Sequence, residues 1–76
     1  MSSIYSDEYQ IVIKTLRSTR IELGITQTQL AESLGKPQSF VAKVENGERR
    51  LDVIEFTKIA RLLSLDPAEI LNAVIK

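Results

Sequence analysis

Residues 26–47 read TQTQLAESLGKPQSFVAKVENG. Gly35 and Gly47 divide this stretch into two short segments, one carrying Leu30, Ala31 and Leu34, the other Val41 and Val44. Those apolar residues recur at helical spacing, and each glycine can adopt the positive φ that ends a helix. Two short helices joined by a tight glycine turn form a helix-turn-helix, whose second helix can project from the domain. Ala31 lies four residues before Gly35 and is small enough for the second helix of the pair to pack closely. With Val41 and Val44 turned inward, the outward face holds Gln38, Ser39, Ala42 and Lys43. Amide, hydroxyl, methyl and ammonium side by side form a mixture able to read base edges, not a row of interchangeable solvating charges.

Three places along the chain share one local pattern: ITQTQL (25–30), LDVIEF (51–56) and LDPAEI (65–70). In each, Thr or Asp can cap a helix while Gln or Glu three residues later reaches back to the cap's amide. The apolar residue before each cap can pack on the one five positions later, as a hydrophobic staple. Helices therefore start near Gln27, Val53 and Pro67, the last with a preset first turn. A first helix begins after Ser6, with Asp7 and Glu8 at the positive end of its dipole. Its apolar stripe reads Tyr9, Val12, Leu16 and Leu23, with Ile13 at the flank, and Gly24 stops it. The third helix spans about Gln38 to Asn46, the following helix buries Phe56, Ile59, Ala60 and Leu63, and a fifth carries Ile70, Leu71, Val74 and Ile75. No segment shows the period-two alternation of a strand. The expected fold is all-α, five helices, as a single domain over residues 1–76.

Composition narrows the function. Seventy-six residues with neither cysteine nor histidine exclude disulfide staples, thiolate nucleophiles, imidazole acid-base chemistry and ordinary zinc sites. No cofactor is expected. No apolar run approaches membrane-spanning length, and MSSIYSDEYQ is too acidic and polar for a signal peptide, so a soluble cytoplasmic protein is the expectation. The carboxylates lie at helix starts and faces, no nucleophile has a plausible base, and no glycine-rich phosphate loop exists; an enzyme is not expected. Ten basic and ten acidic residues give zero formal charge, which argues against a nucleic-acid binder when taken alone. The distribution argues the other way. Lys36, Lys43, Arg49 and Arg50 outnumber Glu45 and Glu48 between positions 36 and 50, while much of the acid lies at helix starts elsewhere.

The projecting helix suits DNA chemically. A glutamine amide can exchange hydrogen bonds with an adenine edge in the major groove, lysine can donate to guanine, and serine can serve several bases. Gln27 opens its helix where backbone amides and the dipole favour a phosphate. Arg49 and Arg50, just beyond the third helix, are positioned to grip the sugar-phosphate backbone. Arg20, on an otherwise apolar stripe, calls for a partner because an unpaired buried charge is destabilising.

At this level of detail LRSTRIELGITQTQLAESLGKPQSFVAKVENGERR (16–50) resembles the helix-turn-helix domain of lambdoid phage repressors, Cro proteins and the small XRE-type bacterial regulators related to them. The likeness runs from about Leu16 to Leu71. It rests on Thr-Gln-x-x-Leu-Ala-x-x-x-Gly followed by Gln-Ser-x-Val-x-x-x-Glu-Asn-Gly. It implies a lambda-repressor-like fold and a transcriptional regulator, a repressor that can act on its own promoter. By this resemblance Gln38, Ser39 and Lys43 face the bases, while Gln27, Lys36, Asn46, Arg49 and Arg50 lie on the DNA backbone. Gln27 also steadies Gln38, and Arg20 with Glu45 matches a partly buried ion pair that ties the first and third helices. Phe40 stands where the family often has Ser, Thr or Tyr, and either presses on a sugar or methyl or closes the core edge. Pro37 replaces a common Ser or Thr, which removes a side-chain cap at the start of the recognition helix.

One such domain reads only a few base pairs, so a homodimer on a palindromic double-stranded site is expected, with recognition helices roughly 34 Å apart. Ile70, Leu71, Val74 and Ile75 form the candidate dimer surface, with Ile4 and Tyr5 as further contributors. The competing reading is a protein-interaction module, such as an antitoxin-type subunit whose partner is a toxin or another regulator; net neutrality is its main support.

Overall fold

The computed structural model describes residues 6–75, which form five helices: α1 (Asp7–Glu22), α2 (Gln27–Leu34), α3 (Gln38–Glu45), α4 (Val53–Leu62) and α5 (Pro67–Ile75). The helix starts follow the local chemistry. The Ser6 hydroxyl accepts from the Tyr9 amide at 3.2 Å. Thr26 with Gln29 and Asp52 with Glu55 each close a reciprocal capping box. At the third expected box the bond shifts by one position: the Asp66 carboxylate takes the Ala68 amide at 2.9 Å. Gly24, Gly35 and Gly47 carry positive φ after α1, α2 and α3. Ser64 does the same after α4 at φ 60°, the one non-glycine in that conformation among the described residues.

The helices pack around one core built from Ile13 and Leu16 of α1, Leu30 and Ala31 of α2, Phe40, Val41 and Val44 of α3, Phe56, Ile59 and Ala60 of α4, Leu63 just beyond it, and Ile70 of α5. α2 packs on α3 and α4, and α1 packs on α3 and α5. Thus α1 and α2 cradle one side of α3 and leave its opposite face outward.

Several core expectations shift. The buried stripe of α1 is Ile13, Leu16 and Arg20, while Tyr9 and Val12 sit half-buried at its margin. Leu23, the C-cap residue that follows Glu22, is 51% exposed and does not join the stripe. Leu34 is likewise only half-buried. Ile4 and Tyr5 lie outside the described residues.

Candidate nucleic-acid interface

α3 begins at Gln38, with Pro37 at the N-cap position making no side-chain cap bond. The proline's φ of −71° and ψ of 156° put it in extended backbone just before the helix rather than in its first turn. Gln38, Ser39 and Lys43 are all exposed, Ala42 is half-buried, and Val41 and Val44 are buried. The side chains expected to read bases therefore share one outward surface, anchored by the two valines behind it.

Beneath this surface runs a continuous hydrogen-bonded chain. Arg20 donates from Nε to Glu45 Oε2 at 2.7 Å and from its NH2 nitrogen to Glu45 Oε1 at 3.0 Å, a bidentate pair. Its remaining terminal nitrogen donates to the Ile25 carbonyl at 2.7 Å, holding the α1–α2 turn. The two side chains are only 10% and 7% exposed. Gln27 Nε2 donates to Glu45 Oε1 at 2.9 Å, and Gln38 Nε2 donates to Gln27 Oε1 at 2.8 Å. The ion pair thus ties α1 to α3, and Gln27 of α2 links it to the first residue of α3. Among the described residues every buried side-chain nitrogen and oxygen has a hydrogen-bond partner, so this polar seam is satisfied rather than stranded.

The expected backbone-contacting residues are less uniform. Phe40 belongs to the core, at 8% exposure, which agrees with the second of its two expected roles, closing the core edge, rather than with a ring laid out for DNA. There it serves as a platform, with Lys36 Nζ 5.4 Å and the Arg49 guanidinium carbon 4.8 Å from the ring centroid, within cation–π range. Arg49 also pairs with Glu55 at 3.1 Å and donates to the Arg50 carbonyl at 2.6 Å. It is therefore already engaged rather than hanging free. Arg50 stacks 5.9 Å from the Tyr9 ring centroid. Asn46 caps the end of α3 and reaches Glu48 Oε2 at 3.5 Å.

Sequence reasoning missed three participants. Arg17, one turn before Arg20, lies 3.8 Å from Glu45 Oε1 with its side chain 58% exposed; the i, i+3 spacing was the available signal. Glu55 serves both the α4 capping box and Arg49. The Tyr9 hydroxyl accepts from the Leu51 amide at 3.1 Å, fixing the loop that carries the two arginines. At the far side, Ile70 is buried, which removes it from the expected dimer surface, while Leu71 is 45% and Ile75 75% exposed and Val74 is half-buried. No group of three or more acidic, histidine or cysteine side chains that could hold a metal occurs among the described residues. No helix among them is long and apolar enough to cross a membrane.

Two short helices with an exposed, polar second member braced from within define a helix-turn-helix DNA-binding domain. The sequence profile of the helix-turn-helix family matches residues 16–70, and the chain belongs to that family, which is a non-enzymatic one. Among solved structures it is similar to an XRE-family like protein from Pseudomonas syringae pv. tomato str. DC3000, at 49% identity and a TM-score of 0.82. That similarity covers 88% of this chain and 82% of the other. No curated protein matches.

Proposed function

We propose that this chain is a sequence-specific transcriptional regulator that inserts α3 into the major groove of a palindromic operator as a homodimer. The observation that carries the reading is the outward set Gln38, Ser39 and Lys43, with Gln38 held in place by Gln27. A surface meant only for solvation has no use for an amide braced back to a buried ion pair. Lys43 supplies a donor for guanine, and Gln38 supplies the paired acceptor and donor that adenine requires. Lys36, Arg49 and Arg50 form the cationic rim that meets phosphates, with Gln27 and Asn46 beside them, and their role is register rather than sequence. Two of those cations rest on the Phe40 ring, which limits the side-chain freedom lost on docking. Leu71, Val74 and Ile75 offer the two-fold contact.

The reading is tested by selecting from a randomised duplex pool and then measuring binding across salt concentrations. Gln38→Ala costs about 1–3 kcal/mol and relaxes preference at one position, whereas Arg49→Ala weakens all sequences alike and lowers the salt slope by about one. Binding to a protein partner that ignores salt, with no duplex selected, would instead identify an interaction module.

A further inference from the structure

We propose that Glu45, acting through Gln27, decides which hydrogen-bonding edge Gln38 turns outward, so that the buried ion pair sets the base preference at one operator position. The inference rests on the reading of α3 as the base-contacting helix. A carboxylate paired with a guanidinium accepts hydrogen bonds and offers none. Glu45 Oε1, already bonded to Arg20, also faces Gln27. Gln27 must therefore point its NH2 group at Glu45, as it does at 2.9 Å. Its carbonyl oxygen is then the atom left toward α3, and it too can only accept. Gln38 answers by donating from Nε2 at 2.8 Å.

That sequence of obligations leaves Gln38 with a free Oε1 and one remaining N–H. One acceptor beside one donor matches the adenine N6–H and N7 pair in the major groove. The opposite orientation would spend the Gln38 carbonyl on its neighbour and present two N–H groups, a match for guanine N7 and O6. An exposed terminal amide otherwise has a broad, roughly two-fold torsional preference and can take either orientation. The choice originates inside the fold, where the Arg20 and Glu45 side chains are 10% and 7% exposed. Glu45 and Gln27 are thus positioning residues for specificity, distinct from any phosphate contact Gln27 makes.

Substitutions at Gln27 separate these roles because they leave the Arg20–Glu45 pair in place. Gln27→Met keeps length but removes both amide functions. Gln27→Lys supplies only donors, to Glu45 on one side and to the Gln38 carbonyl on the other, which turns the Gln38 NH2 outward. A duplex is first selected with the unaltered protein, and the base pair most sensitive to Gln38→Ala is located. Affinities are then measured for four duplexes differing only there, together with each variant's unfolding midpoint. The unaltered protein is expected to prefer adenine by about tenfold or more, Gln27→Met to flatten this below about threefold, and Gln27→Lys to move the preference to guanine. Replacing Arg20 and Glu45 together by Met, which strands no charge, is expected to flatten it as well. A folded Gln27→Met or Gln27→Lys protein that keeps the original preference overturns the inference, as does a loss of binding equal for all four duplexes. Failure of the unaltered protein to select any duplex overturns the DNA reading itself.

Discussion

Glu45 meets three partners with a side chain only 7% exposed: Arg20, Gln27 and, at longer range, Arg17. Its removal leaves the Arg20 guanidinium buried without its counter-charge. Glu45→Ala is therefore expected to destabilise the fold by about 3 kcal/mol, read from urea unfolding, whereas an effect within surface scatter would contradict the pair's role. The same change at Glu48, an exposed residue with one 3.5 Å contact, should stay within about 0.5 kcal/mol. Phe40 shows a different logic. Its ring is part of the core and also the seat of Lys36 and Arg49. Phe40→Leu keeps most of the apolar burial but removes the π face, so DNA affinity should fall more than stability does, as seen by comparing binding with thermal unfolding.

At the level of elements, the caps were legible because they are local. Thr26 with Gln29 and Asp52 with Glu55 lie three residues apart, and no tertiary information is needed to see that one side chain can reach the other's amide. The inward face of α1 was not fully legible. Tyr9, Val12 and Leu16 and the alternative Ile13, Leu16 and Arg20 both satisfy helical spacing, and only the buried guanidinium decides between them. The Gln27–Glu45 bond joins residues 18 positions apart across two helices, so its distance depends on how those helices cross. The resemblance anticipated the Arg20–Glu45 pair and the bracing of Gln38 and left Phe40 between two readings, but it gave no sign of Arg49's pairing with Glu55. The stop after α4 carries a prediction of its own. Ser64 holds φ 60° where the other positive-φ stops use glycine, and it is exposed. Ser64→Gly should raise stability by about 0.5–1 kcal/mol through relief of the left-handed strain, checked by chemical denaturation.

For the whole molecule, zero formal charge conceals an uneven distribution. Four of the exposed cations, Lys36, Lys43, Arg49 and Arg50, lie on or beside α3, with others on α1 and α4, while Asp52, Asp66 and Glu69 sit at the starts of α4 and α5. The apolar end of α5, with Leu71 and Ile75 exposed and Val74 half-buried, is the proposed two-fold contact. Leu71→Glu is then expected to lower the mass measured by light scattering, and to weaken binding to a two-half-site duplex far more than to a single half-site. Unchanged mass would move the two-fold contact elsewhere. Whether α3 reads DNA by sequence is decided by equilibrium binding to a selected duplex and to its scrambled counterpart between about 50 and 200 mM salt. Log affinity is expected to fall linearly with log salt for both, by about 0.9 per phosphate neutralised, while the selected duplex stays preferred throughout. Equal affinity for the two duplexes, or binding indifferent to salt, would contradict sequence reading by α3.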